Sequence, residues 1–144
     1  MDEKKLLIRM RGIVKRFYIG EPNELEILHG IDLEQIGRFE DKLTKEKFLH
    51  RIYTEKEQAY IAGHARPAEK AAGMWAAKEA VSKAFGRGLY GMDPREIEVG
   101  HLPSGQPFVT LLGSAAAQYG AYAISLSISH TDGYVLASCI ACKA

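Results

Sequence analysis

The stretch Gly73–Gly88 constrains this chain more than any other. It is rich in alanine, and nothing breaks a helix before Gly86, so it reads as one. Pro67 suits the first turn of that helix and Gly86 suits its end. Met74, Ala77, Val81, Ala84 and Phe85 form a stripe that faces a core. Glu79 and Lys83 are four residues apart and share a face. Ala72, Trp75 and Ala76 continue that face toward the N-terminus, and small residues there let something approach the backbone. An acid for a hard cation and a lysine for a phosphate, one turn apart, suit a Mg²⁺–phosphate site. The plainer reading is a Glu–Lys surface pair among alanines that favour helix, and spacing alone favours it.

Two other segments shift that balance. Gly30-Ile31-Asp32-Leu33-Glu34-Gln35-Ile36-Gly37-Arg38 supplies a second carboxylate after a short apolar run. Ser127-Ile128-Ser129-His130-Thr131 supplies a histidine where a strand gives way to a turn. Asp32 alone reads as a helix N-cap, although a cap can accept with one oxygen and leave the other free. His130 alone reads as a turn histidine satisfied by backbone. Lys78 lies about 100° around the helix from Glu79 and reads as solvated. His29, His50, His64 and His101 default to structure or surface.

Composition bounds the rest. The chain has 144 residues, one domain's worth, and 47% of them are apolar, enough for one core. A net charge of +1 removes any bulk electrostatic case for nucleic acid. No apolar run approaches the ~20 residues of a membrane span, and Leu6-Leu7-Ile8 is too short for a signal-peptide core, so a cytoplasmic protein is expected. The two cysteines, Cys139 and Cys142, fall three apart in a terminal strand. They point to opposite faces there and share no metal or redox role.

Residues 1–28 form an N-terminal extension ahead of a domain spanning 29–144. Leu6, Ile8 and Met10 alternate with Leu7, Arg9 and Arg11, which permits a strand, and Gly20-Glu21-Pro22-Asn23 reads as a turn. The extension suits an edge strand or a partner contact. Glu26 to Asp32 reads as a strand ending at Asp32, where a helix with Leu33, Ile36, Phe39 and Leu43 begins. Thr54-Glu55-Lys56-Glu57 is a capping-box pattern, so a second helix follows Thr54 and ends near His64. Ile97–Val99 and Pro107–Leu112 flank a turn at Ser104-Gly105-Gln106. Gly113 to Gln118 suits a short helix. Tyr122 to Ser129 alternates as a half-buried strand, and a hairpin at Asp132-Gly133 returns it through Tyr134 to Ala141.

The Ala-Ala-Lys-Glu-Ala-x-Ser-Lys-Ala-x-Gly-x-Gly pattern, the Gly-Ile-Asp segment with Arg38 and the Ser-Ile-Ser-His segment, in this order, resemble the 4′-phosphopantetheinyl transferases of the holo-acyl-carrier-protein synthase type. The resemblance runs from about His29 to about Ala141. It implies a half-size, single-domain α+β fold, with a twisted, mainly antiparallel sheet packed on one long helix. It implies a homotrimer with sites between protomers. The implied reaction transfers 4′-phosphopantetheine from coenzyme A to a serine of apo-acyl carrier protein and releases adenosine 3′,5′-bisphosphate. Asp32 and Glu79 match the metal ligands for Mg²⁺. Lys83 matches the lysine that contacts the coenzyme A phosphates, and His130 the histidine at the coenzyme A site. Glu79, Lys83 and His130 are the catalytic candidates, with Gly86, Gly88 and Thr131 also toward coenzyme A. Arg38 matches the arginine that faces the carrier protein's acidic helix.

Two positions depart from the family pattern. Met74 stands where arginine is usual, and Arg87 where threonine is usual between the glycines. Arg66 and Arg87 are the candidates to compensate for the lost cation, and the sequence does not show that either does. A different Mg²⁺-dependent nucleotide enzyme and a non-catalytic carrier-protein binding module are the competing functions, and intact Asp32, Glu79, Lys83 and His130 argue against the second.

Overall fold

The computed structural model describes residues 10–11, 14–18 and 25–144. The expected alternation at Leu6 and Ile8 and the turn at Gly20–Asn23 lie outside them. Its strands are β1 (Met10–Arg11), β2 (Val14–Tyr18), β3 (Glu26–Gln35), β4 (Ile97–His101), β5 (Pro107–Leu111), β6 (Ala123–Thr131) and β7 (Tyr134–Lys143). The helices are α1 (Gly37–Lys42), α2 (Glu46–Ile52), α3 (Glu55–Ala62), α4 (Pro67–Ala84) and α5 (Gly113–Tyr119), with a 3-10 turn at Pro94–Glu96. Five strands form one sheet in the order β1-β2-β3-β7-β6, and β4-β5 form a separate hairpin. Every pairing is antiparallel. Residues 14–18 of the N-terminal stretch pair with β3, Phe17 opposite Ile27.

Helix α4 lies across β3 and β7 and carries the core. Pro67 opens it at the position where a missing N–H costs nothing. It closes in a Schellman turn: Gly86 donates to Lys83 O at 2.9 Å, and Arg87 to Ser82 O at 2.9 Å. Gly86 takes φ 71° there, a left-handed conformation that glycine adopts at no steric cost. The expected stripe of Met74, Ala77, Val81, Ala84 and Phe85 is buried, but burial extends much further around the helix. The five-stranded sheet covers one side of α4, while α1, α3 and β4 pack on it elsewhere. Ala72 and Ala76 are therefore fully buried within the protein, and their small size serves internal packing rather than an external visitor.

Two local expectations change. Asp32 is not at a helix start, because β3 continues through Gln35 and its pairing with β7 runs unbroken to Gln35–Tyr134. Leu28, Gly30 and Asp32 point inward while His29, Ile31 and Leu33 face out, the two-residue period of a strand. Helix begins only at Gly37, with Ile36 as its cap residue. The Thr54 capping box is present as read, with Thr54 Oγ1 accepting from Glu57 N and Glu57 Oε2 accepting from Thr54 N. The hairpin at Asp132-Gly133 has both residues at positive φ, 42° and 82°, as a two-residue turn requires. Cys139 is buried and Cys142 half-buried on opposite faces of β7, and burial pushes the Cys139 thiol up to about 12.

Candidate active site

Close approach of α4 to β3 creates the site. A side chain at Gly30 would meet Ala80 O and Ala84 N, so glycine is what lets the helix backbone rest on the strand. One strand period on, Asp32 reaches α4 at Lys83. Lys83 Nζ donates to Asp32 Oδ1 at 2.5 Å and to Ile31 O at 3.2 Å. The other oxygen, Asp32 Oδ2, is buried and has no hydrogen-bond partner among the described residues. Glu79, one turn before Lys83, is half-buried and feels the Asp32 charge. Lys83 thus pairs with Asp32, rather than with Glu79 as a plain surface pair would.

A third carboxylate joins them that sequence reading missed. Glu34 follows Asp32 by one strand period, feels its charge, and accepts from Trp75 Nε1 at 2.9 Å. The signal was the alternation Leu28, Gly30, Asp32, Glu34, concealed once the strand is taken to stop at Asp32. Burial, and then the Asp32 charge, hold the Glu79 carboxyl above its ordinary range, with Lys83 opposing. Burial, and then Asp32, likewise raise Glu34, with Trp75 and Arg38 opposing. Asp32 and Glu79 thus share the Lys83 ammonium, while Arg38 is the cation that opposes on Glu34. Among the described residues, no three His, Cys, Asp or Glu side chains are already gathered to hold a metal. The orphaned Asp32 oxygen beside the raised Glu79 carboxyl nonetheless fits a hard dication that takes few protein ligands.

Glu79 also borders a cavity of ≈ 270 Å³ walled by Phe48, Trp75, Leu89, Tyr90 and Pro94, with Arg51 beside it. Arg38 is exposed on α1. His130 and Thr131 end β6 rather than forming the turn, and His130 Nε2 lies 3.6 Å from Glu69 Oε1 near the start of α4. Glu69 and Glu79 are ten residues apart on that helix, roughly 15 Å. His130 therefore cannot act on the same atom as Glu79 within one chain, although a long ligand can span the two. Gly86 and Gly88, at φ 71° and 65°, cap and follow α4 in the ordinary way. Met74 is buried in the core, Arg87 Nη2 reaches Gln118 Oε1 at 3.4 Å, and Arg66 pairs with Glu69.

Lys78 corrects the sequence reading most sharply. It is fully buried, not solvated, because α3 and β4 cover the side of α4 from which it projects. Its Nζ lies 2.9 Å from Glu57 Oε1 and donates to Pro94 O and Ile97 O, each at 2.7 Å. Burial pulls this ammonium below the ordinary lysine range, with Glu57 pulling back.

A family model described as the 4′-phosphopantetheinyl transferase superfamily matches residues 29–139. The chain belongs to this superfamily. Within it, the chain is 40% identical to the holo-[acyl-carrier-protein] synthase of Caldanaerobacter subterraneus over 81% of its own length and 95% of that protein's. It is 43% identical to the enzyme of the same description from Gloeobacter violaceus, over 76% and 87% of the two chains. Among solved structures of the superfamily, the holo-(acyl-carrier-protein) synthase of Bacillus anthracis in complex with CoA (3′,5′-ADP) superposes with a TM-score of 0.70 at 32% identity, covering 81% of this chain and 96% of that one. The Helicobacter pylori synthase in complex with coenzyme A gives 0.71 at 29% identity, covering 79% and 99%. The α+β fold with antiparallel sheets on one long helix is thus the superfamily's own.

Proposed function

We propose that this chain is a holo-acyl-carrier-protein synthase that moves 4′-phosphopantetheine from coenzyme A to a serine of apo-acyl carrier protein. The observation that carries the reading is the buried Asp32 oxygen with no partner among the described residues, on a carboxylate that pairs with Lys83 and whose charge Glu79 feels, in a chain of this superfamily. Asp32 and Glu79 would hold Mg²⁺, which when bound supplies charge neutralisation at the pyrophosphate. Lys83 leaves Asp32 for the phosphate oxygens and keeps the reacting phosphorus in line. The serine Oγ forms a bond to the phosphorus carrying the pantetheine arm, and the bond from that phosphorus to the bridging oxygen breaks. Adenosine 3′,5′-bisphosphate leaves with the electron pair. The serine proton passes to Glu79, the carboxylate that serves as general base.

His130 and Thr131 serve a more distant phosphate of coenzyme A in this reading, which suits their separation from Glu79. Gly86 and Gly88 leave backbone open to the nucleotide. Arg38, with Lys45 and Lys47 exposed nearby, meets the acidic carrier protein. The assembly is a homotrimer. Supporting it, the sheet face turned away from α4 exposes Ile31, Leu33 and Ile140, an apolar surface that another copy can cover. Among the described residues no helix is long and apolar enough to cross a membrane, and the reading places the reaction in the cytoplasm with residues 1–28 as an extension to the domain.

The test is intact-mass measurement of apo-acyl carrier protein incubated with this protein, coenzyme A and Mg²⁺. The expected result is a Mg²⁺-dependent gain of one phosphopantetheine arm, with the rate falling about 10³-fold in Glu79→Gln while the fold is kept. An active Glu79→Gln enzyme removes Glu79 from the mechanism. Consumption of coenzyme A without modification of any carrier protein would point to a different nucleotide enzyme.

A further inference from the structure

We propose that the outer end of the β4–β5 hairpin is fastened to α3 by a pH-sensitive latch, the His101 ring stacked on Tyr60, which lets go as the pH falls. Glu57, Tyr60 and His64 are three and four residues apart, so they line up on one face of α3 and the turn that follows it. Val99 and His101, two apart on β4, meet that face in order. At the first rung Val99 N donates to Glu57 Oε1 at 2.7 Å, and Glu57 is sealed against Lys78. At the second rung the His101 and Tyr60 rings stack, with centroids 4.4 Å apart and planes inclined by 2°. The His64 ring lies 4.5 Å from Tyr60, tilted by 51°. The joint therefore passes from a closed ionic network to a stack that carries two titratable imidazoles.

The stack is built for a neutral His101. Its Nδ1 is buried and has no hydrogen-bond partner among the described residues. In the neutral ring this nitrogen can be an idle acceptor, whereas in the charged ring both nitrogens are donors and this one carries a buried proton with no acceptor. The groups that face the ring oppose the charge too. Lys70 comes from α4 and His64 from the turn after α3, Tyr60 of α3 is neutral, and β5 sets Pro107 opposite. The carboxylates of Glu57 on α3, Glu98 on β4 and Glu69 on α4 face Lys78, Lys56 and Arg66. A cation gains something over a tyrosine face, but burial first, then Lys70 and His64, hold this imidazole below its ordinary 6.5. An open stack returns the ring to water and to its ordinary proton affinity, so below pH 6.5 the open joint binds more protons than the closed one. The closed joint is thus at full strength above 6.5 and weakens as the pH falls below it. The ladder itself is weak at this end, because Pro107, the partner of His101, offers no N–H.

Protection of backbone amides against hydrogen exchange, read by NMR on the whole protein, locates the opening. Leu102 N donates to Gln106 O at 2.9 Å just beyond His101 and reports on the latch. Val99 N reports on the sealed rung. Between about pH 7.5 and 5 the Leu102 protection factor, corrected for the intrinsic exchange rate, is expected to fall about tenfold while that of Val99 holds. His101→Phe keeps a flat ring and takes no proton, so its Leu102 protection should stay level across the same range. His101→Asn has neither the ring nor the proton, and its Leu102 protection should be low and level. Circular dichroism melts establish that each variant is folded. A level wild-type profile would overturn the proposal, and so would a fall of wild-type size in either variant, which would assign the titration to another group. Equal losses at Leu102 and Val99 in the wild type would show that the whole region loosens in acid, and would overturn the local latch.

Discussion

Helix α4 carries two lysine–carboxylate pairs five residues apart, and they are opposites. Lys78 and Glu57 are sealed, with side chains 0% exposed, and the three acceptors around Lys78 match its three N–H groups. Glu57 is equally satisfied, accepting from Thr54 N at 2.8 Å and from Val99 N at 2.7 Å. Lys83 and Asp32 are open, 24% and 10% exposed, with one carboxylate oxygen unsatisfied among the described residues and with Glu79 feeling the Asp32 charge. A closed network has nothing left to offer a ligand and can only fix structure. It ties α4 to α3 and to the Pro94–Ile97 segment, which walls the cavity beside Glu79. An open one holds an unmet demand for positive charge, which the proposed function gives to a cation. On the proposed function, the two adjacent residues Lys78 and Glu79 divide scaffold from chemistry.

The largest effect is expected from breaking the sealed pair. Lys78→Met leaves the Glu57 charge buried without its counter-ion and costs about 3–5 kcal/mol of stability, read from urea unfolding. A variant as stable as wild type would mean that water or another cation reaches Glu57, and the sealed–open contrast would fail. Lys83→Met inverts the outcome. The pair it breaks is partly solvated, so stability changes by about 1 kcal/mol or less. Turnover falls by about 10²–10³-fold, because the phosphate loses its fixed charge. Urea unfolding and carrier-protein modification, measured on the same two variants, should cross.

A double variant sharpens the contrast. Glu57→Gln on top of Lys78→Met removes the stranded charge and keeps an acceptor for Thr54 N or Val99 N. It should be more stable than the sum of the two single losses predicts, with a coupling of about 1–3 kcal/mol. Strict additivity would mean that the two groups act independently despite their 2.9 Å contact.

The sequence discloses these two pairs unequally, for physical reasons. The ends of α4 and the capping box at Thr54 follow from local backbone rules, so Pro67, Gly86, Thr54 and Glu57 can be read directly. Asp32 and Glu79 are legible as a couple through their motifs. Asp32 as a strand residue is harder, because Leu33, Ile36 and Phe39 also fit a helical period; ladder bonds to β7, far away in sequence, decide it. With the strand cut short, Glu34 drops out of the cluster. Lys78 is least legible. Its angle from Glu79 is correct, but only the packing of α3 and β4 makes that side of the helix interior, and no local pattern encodes it.

The smallest effects lie in pH dependence, where the two pairs should carry opposite signs. Glu79 has an affinity for protons raised above its ordinary 4.5, so above that pH the folded chain binds more protons here than the unfolded chain does. Stability then falls as pH rises through the window between 4.5 and the raised value, and the deficit persists above it. Glu79→Gln removes this contribution, so its stability relative to wild type should grow from pH 4.5 upward. Lys78 is shifted down from 10.5, so the folded chain sheds this proton before the unfolded chain does. Its unfavourable contribution shrinks as pH rises toward 10.5, and Lys78→Met should lose ground to wild type across that alkaline window. Urea midpoints for wild type and the two variants, taken from acid to alkaline pH, check both slopes. Added Mg²⁺ should flatten the acid-side difference, because a cation at the open site favours the ionised Glu79, and should leave the alkaline side unchanged, because nothing enters the sealed one. A Mg²⁺ effect on both sides would show that the two networks communicate along α4 and are not separate devices on one helix.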